Sequence, residues 1–170
     1  MRWYILSIVS LLVLALTESS LLPAALGSNL RPNLTLIVTA VVAAQLGSDG
    51  FAMALAGGLL LDLMSSVPLG LTSLSLLLGN AMASLLDRAP IPSRLFRTIT
   101  WVAIVTLVAQ GVTLVGLAID GRSVDVGYAT TNIILPLVIV NPLLAIPTYG
   151  IVNVIIERAR REARMAGVRS

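Results

Sequence analysis

Long apolar segments without a charged side chain dominate this sequence. Residues 98–119 and 126–156 contain no Asp, Glu, Lys or Arg, and each could form a helix that crosses the roughly 30 Å hydrocarbon core of a bilayer. Of all residues, 57% are hydrophobic and 11% are charged, whereas soluble domains carry about 25% charged residues. A soluble core of this size would need a polar shell that the chain lacks. The sequence therefore predicts an all-α integral membrane protein.

The apolar segments predict one compact domain, residues 1–156, with about six transmembrane helices. The predicted spans are residues 3–26, 32–47, 51–66, 69–86, 95–119 and 128–156, and a basic cytoplasmic tail follows at 157–170. The third and fourth spans are short, so they could instead form a re-entrant hairpin around Pro68. The first span could alternatively be a signal peptide, but no small-x-small cleavage site follows it.

The basic residues predict how the helices are oriented. All 11 basic residues are Arg, and with six spans and the N-terminus inside, only Arg31 and Arg122 fall outside. This bias predicts a multi-pass protein of the cytoplasmic (inner) membrane with both termini in the cytoplasm. It also argues against a nucleic-acid partner. Four tail arginines are expected to contact anionic lipids of the cytoplasmic leaflet: Arg158, Arg160, Arg161 and Arg164.

The residue inventory excludes most kinds of catalytic site. Cys, His and Lys are absent, which removes thiolate nucleophiles, Ser-His and Ser-Lys pairs, Schiff bases and zinc sites with Cys or His ligands. We therefore predict no enzymatic activity, no catalytic or metal-binding residue and no cofactor.

Three prolines, Pro136, Pro142 and Pro147, lie in the last predicted span. Each removes a backbone N–H donor and clashes with the preceding turn, so this helix is predicted to be kinked or interrupted. A broken transporter helix that binds an ion would usually have a matching Pro-rich span in a second half, and the sequence has none.

Asp62 is the most unusual charge, because it lies within the apolar run GGLLLDLMSSVPLGLTSL at residues 57–74. A carboxylate within a membrane span costs roughly 2.5–3.5 kcal/mol on insertion scales and so indicates a function. Asp62 could be an anchor that accepts hydrogen bonds from a partner helix, from Asn80 or from Ser65. Alternatively, it is a solvated helix end near the outer interface. Glu18 is either solvated there as well, or joins Asp62 in receiving a basic group from a partner.

Small residues in the third span allow helices to approach closely. Gly57-Gly58 and the pair Ala52 and Ala56, at small-xxx-small spacing, are typical of helix contacts in membranes. Packing within the bundle is the default explanation, and packing against a helix of another protein is the alternative.

Two short motifs stand out: Arg31-Pro32-Asn33-Leu34 at the start of the second span, and the 57–74 segment with its Asp62 and Pro68-Leu69-Gly70. Together they resemble the bacterial rod shape-determining protein MreD family. Family members often have Asp in place of Asn33, and His or another polar residue in place of Thr72. The candidate interaction or family-motif residues are Glu18, Pro32, Asn33, Leu34, Gly58, Asp62, Pro68, Leu69 and Gly70.

The resemblance implies a non-enzymatic subunit of the complex that elongates bacterial cells. It implies binding to the membrane-anchored scaffold MreC, and a role in peptidoglycan synthesis and cell-shape maintenance. Through MreC, it would couple MreB filaments to the glycosyltransferase RodA and its penicillin-binding transpeptidase. The implied fold is similar to the substrate-binding subunits of energy-coupling-factor transporters. A subunit that binds a small vitamin-like molecule is therefore the alternative function.

Overall fold

The computed structural model describes residues 32–64, 68–88, 90–91, 93–123 and 125–167. These residues are predominantly helical and contain no strand, which confirms the all-α class. The predicted first span, residues 3–26, and Glu18 within it lie outside the described residues.

Six α-helices follow one another in the described part of the chain. They are α1 (Leu34–Leu46), α2 (Ser48–Met64), α3 (Leu71–Ala83), α4 (Arg94–Ile119), α5 (Val126–Ala129) and α6 (Leu135–Gly167). A 3₁₀ turn, Ser84–Arg88, extends α3, and a π-helical turn, Thr130–Ile134, joins α5 to α6.

Side-chain caps determine where α1 and α4 begin. Asn33 Oδ1 accepts a hydrogen bond from the Leu36 amide at 2.6 Å, and Ser93 Oγ accepts one from the Phe96 amide at 3.3 Å. The first turn of a helix leaves such amides without an intrahelical acceptor, so a polar side chain just before it stabilises the start. Asn33, one of the motif residues, therefore caps α1.

The first described helix, α1, lies at the centre of the bundle. It packs against α2, α4 and α6, and its residues Leu36, Ile37, Ala40 and Val41 are at most 1% exposed. A helix that is apolar on all sides is stable when neighbours or lipid cover every face. The uncharged sequence of α1 is consistent with this central position.

Two described helical segments are long and apolar enough to cross a membrane. Arg94–Ile119 has 26 residues and Val126–Arg158 has 33, and their most apolar 18-residue windows have mean hydropathies of 2.3 and 1.9. Only 22% and 28% of their apolar windows are buried within the bundle, so both turn apolar surface outward. The helices α1, α2 and α3 have 13, 17 and 13 residues. At about 1.5 Å per residue they are shorter than a bilayer core.

The prolines do not interrupt the last helix, although the sequence predicted that it would be either kinked or interrupted. The π-helical turn Thr130–Ile134 lies just before Pro136, and α6 then continues through Pro142 and Pro147 to Gly167. In a π turn, each amide bonds to the carbonyl five residues earlier instead of four. This change of register lets the helix continue past Pro136, which has no backbone N–H to donate to the preceding turn.

A buried hydrogen bond joins α3 to α4. The Trp101 indole Nε1 donates to Asn80 Oδ1 at 3.0 Å, and the two residues are 1% and 0% exposed. The Asn80 amide nitrogen donates to the Leu76 carbonyl at 2.8 Å. Asn80 thus engages α4 and its own helix, and Trp101 finds the polar partner that a buried indole requires.

Replacing Trp101 with Phe is expected to lower the free energy of unfolding by about 2 kcal/mol, because Asn80 Oδ1 would lose its donor in a buried site. Thermal unfolding of the detergent-solubilised protein, followed by circular dichroism, measures the change. Phe96→Leu is the control, since Phe96 is 60% exposed. Its effect should stay within about 0.5 kcal/mol. Equal effects of the two substitutions would contradict a stabilising role for this hydrogen bond.

Candidate functional site

The described residues of the family-like segment form two antiparallel helix ends, with the Pro68-Leu69-Gly70 turn just before the second helix. We call residues 58–64 and 68–73 the Asp62 hairpin. Gly58 of α2 lies against Ser73 of α3, and Asp62, one turn further along α2, lies beside Gly70 at the start of α3. The segment singled out by its sequence is therefore one structural unit.

The Asp62 carboxylate lies at the N-terminus of α3 and is only 2% exposed. Its Oδ2 accepts hydrogen bonds from the Gly70 amide at 2.9 Å, from the Ser73 amide at 3.3 Å and from Ser73 Oγ at 3.3 Å. Its Oδ1 accepts from the Thr72 amide at 3.0 Å. Gly70 occupies the capping position of α3 but has no side chain to act as a cap. Asp62 therefore caps the neighbouring helix, where its charge also complements the positive end of the helix dipole.

This geometry corrects two expectations for Asp62. The prediction of a solvated helix end is wrong, because the chain folds back at Gly70 and covers the carboxylate. The prediction that Asn80 is the partner is also wrong, because Asn80 bonds to Trp101. Ser65, the other suggested partner, lies outside the described residues. The expectation of a hydrogen-bonded anchor holds in a different form, since the anchored helix belongs to the same chain.

The Pro68-Leu69-Gly70 turn directs the α3 amides toward Asp62. Gly70 has φ of +89°, a left-handed conformation that glycine adopts without a steric penalty. The Leu71 amide donates to the Pro68 carbonyl at 3.1 Å, which closes the turn. Pro68 and Gly70 therefore both contribute to the geometry of the turn that carries the cap.

Gly58 allows the backbones of α2 and α3 to touch. A Cβ atom built on Gly58 would lie 2.5 Å from Ser73 Cα and 2.8 Å from the Ser73 amide nitrogen, too close for any real side chain. Gly58 therefore packs within this chain, and its own surface is not available to another protein.

Most other motif residues are also covered. Pro32 is buried and Leu34 packs partly buried against the core. By contrast, Leu69 is 73% exposed, and Leu63 and Met64, which directly follow Asp62 in the sequence, are 71% and 40% exposed. We call these three residues the apolar tip. The exposure of Leu63 and Met64 was not predicted from the sequence, although neighbours of a buried Asp62 on a helix must lie on other faces.

The predicted membrane-surface arginines lie near the end of α6. Arg158 and Arg161 are exposed. Arg160 and Arg164 belong to the same helix, but their side chains lie outside the described set. Exposed guanidinium groups at this end of α6 are accessible to lipid head groups.

The described residues contain no group of three or more His, Cys, Asp or Glu side chains that could hold a metal ion. Asp62 accepts hydrogen bonds from backbone amides, so the carboxylate serves to hold α3 in place.

The chain matches no protein-family model, no curated protein and no solved structure. Its function is therefore inferred from the hairpin, the long apolar helices and the distribution of charge.

Proposed function

We propose that this chain is a non-enzymatic membrane subunit of the bacterial cell-elongation complex, similar to MreD, that binds MreC and supports peptidoglycan synthesis and cell-shape maintenance. The observation that carries the proposal is the Asp62 hairpin. The residues that resemble the family, Gly58, Asp62 and Gly70, all act in one local arrangement that joins α2 to α3. Such an arrangement explains why these residue types occur together at this spacing.

The proposed protein crosses the inner membrane about six times, with both termini in the cytoplasm. The outward apolar surfaces of α4 and α6 support this placement. The first residues of α4, Arg94 and Arg97, line a cavity together with Glu157 of α6, so the basic ends of both helices lie at the same end of the bundle. Positive charge at one end is the pattern expected for a cytoplasmic face. The Asp62 hairpin then turns at the opposite, outer face.

The apolar tip is the proposed contact surface for MreC. Leu63 and Leu69 expose more than two thirds of their surface at the turn, and the cap at Asp62 holds that turn in one conformation. A preorganised apolar surface loses little entropy when a partner binds, which favours affinity. RodA with its transpeptidase and MreB would join through MreC.

Co-purification of this protein with co-expressed MreC tests the proposal. The wild type is expected to retain MreC in detergent, whereas Leu69→Asp should retain about tenfold less, because it places a charge in the contact surface. Ile119→Asp is the matched control, since Ile119 is 82% exposed at the end of α4, outside the hairpin, and should retain MreC. The MreC proposal fails if the wild type never retains MreC. Equal loss in both variants would remove the apolar tip as the contact surface.

A transporter subunit that binds a vitamin-like molecule would need an apolar pocket with a few polar groups near the outer face. A cavity in the described region lies at the arginine-bearing end instead, among Gln45, Arg94, Arg97 and Asn153. This position and lining favour the MreC proposal. Mass spectrometry of the purified protein would reverse that preference if it found a bound vitamin-like molecule.

A further inference from the structure

A polar cavity of about 480 Å³ opens at the arginine-bearing end of the bundle. It lies between the C-terminal end of α1, the first turn of α4 and residues 149–157 of α6. The Asp62 hairpin contributes no residue to its wall, and neither does the apolar tip. The cavity is therefore a separate feature of the molecule.

Two guanidinium groups stand on the wall of this cavity. Arg97 Nη2 donates to the Ala44 carbonyl at 3.2 Å, which fixes the position of that side chain. Arg94, one helical turn away, is exposed and lines the same cavity. Both arginines lie in the first turn of the 26-residue helix α4, where the helix dipole adds further positive potential.

A second feature of the wall indicates the kind of ligand. The amide nitrogen of Gln45 is buried and has no hydrogen-bond acceptor among the described residues. Leaving such a buried donor unsatisfied is unfavourable. The atom has almost no accessible surface, so a ligand with acceptor oxygens would reach it only after the Gln45 side chain rotates. Gln45 of α1 and the two arginines of α4 all line the cavity, so residues that carry hydrogen-bond donors come from both helices.

One acidic side chain of the described lining, Glu157 of α6, balances part of the charge. Glu157 Oε1 accepts a hydrogen bond from Asn153 Nδ2 at 3.2 Å, both on α6. Among the described residues that line the cavity, two arginines against one glutamate leave a net positive charge of one. The site is thus suited to an anion with several oxygen acceptors, which guanidinium groups bind in a bidentate manner.

We propose that this cavity binds a phosphate group, carried either by the head group of an anionic phospholipid or by a free phosphate ion. Guanidinium and amide donors match phosphate oxygens in charge and geometry. Ile91 and Ile156 also line the cavity and offer apolar contact next to the charged wall, which fits a lipid better than a free ion. Basic pockets between membrane helices on the cytoplasmic side are where anionic head groups are found. Binding here does not depend on MreC.

Native mass spectrometry of the purified full chain in detergent tests this site, with dioleoylphosphatidylglycerol as the probe and dioleoylphosphatidylcholine as the zwitterionic comparison. The wild type is expected to retain one phosphatidylglycerol in preference to phosphatidylcholine.

Arg94→Gln should weaken this binding about tenfold through loss of a charge-assisted hydrogen bond. Arg94 is exposed, so the substitution should leave the fold intact. Arg161→Gln is the matched control, because it removes the same charge from an exposed site outside the cavity. It should change binding less than about twofold.

Two further measurements identify the ligand. Glu157→Gln should tighten binding of an anion severalfold by removing a like charge, whereas a cationic ligand would bind more weakly. In a competition experiment, excess inorganic phosphate is added to the lipid-bound protein. If it displaces the lipid, the site binds free phosphate; if it does not, the site binds the lipid head group. The proposal is overturned if Arg94→Gln and Arg161→Gln weaken binding equally. It is also overturned if the wild type prefers neither phosphatidylglycerol nor phosphate.

Discussion

Replacing Asp62 with Ala is expected to lower the free energy of unfolding by about 3–5 kcal/mol. The amides of Gly70, Thr72 and Ser73 would lose their acceptor in a site where Asp62 is 2% exposed. Water cannot replace the carboxylate without opening the hairpin, and each buried donor left alone is unfavourable. The start of α3 should therefore become the least stable part of the protein.

Thermal unfolding in detergent measures this loss against two other substitutions. Asp62→Asn keeps one acceptor oxygen but turns an NH₂ group toward the α3 amides, so an intermediate loss is expected. Asp120→Ala is the control, because Asp120 forms an exposed ion pair with Arg122 at 3.2 Å. Such pairs contribute about 0.5 kcal/mol. A capping role for Asp62 would be refuted by an Asp62→Ala protein as stable as Asp120→Ala.

The same variant tests whether the cap preorganises the apolar tip. A buried Asp62 can affect MreC binding only through the shape of the hairpin. Below its unfolding temperature, folded Asp62→Ala should therefore retain less MreC than the wild type, because the turn that carries Leu69 is no longer held in one conformation. Full retention of MreC by the folded variant would contradict this preorganising role.

The helices themselves could be predicted from hydropathy, because uncharged runs need a helix to satisfy their backbone in an apolar environment. The α4 helix, Arg94–Ile119, almost coincides with the predicted span at 95–119. Its start follows from Ser93, a residue type that caps helices. Local patterns of this kind are visible in sequence because the interacting residues lie within one turn of each other.

The environment of Asp62 could not be predicted in the same way. Its partners, from Gly70 to Ser73, lie eight to eleven residues further along the chain, beyond the turn. Hydropathy places a residue along the membrane normal, but it carries no information on which neighbour covers it. The same applies to the polar cavity, where Arg97 bonds to Ala44 from another helix. Contacts between helices depend on the packing of the whole bundle.

Gly58→Ala is expected to lower the free energy of unfolding by about 2–3 kcal/mol, a large effect for one methyl group. The new Cβ would lie 2.5 Å from Ser73 Cα, so the two backbones would have to separate. Ser73 donates its amide to Asp62, so that separation also weakens the cap. Urea or thermal unfolding of the detergent-solubilised variant measures the loss.

Gly150→Ala is the matched control and should change stability in the opposite direction. A Cβ at Gly150 would have no atom within 4 Å, and the residue lies inside α6. Alanine there should stabilise the protein by about 0.5–1 kcal/mol through helix propensity. Because Gly58 and Asp62 both act on the contact between α2 and α3, the double variant Gly58→Ala/Asp62→Ala should lose less stability than the sum of the two single losses. Full additivity would mean that the close approach at Gly58 and the cap at Asp62 stabilise the hairpin independently.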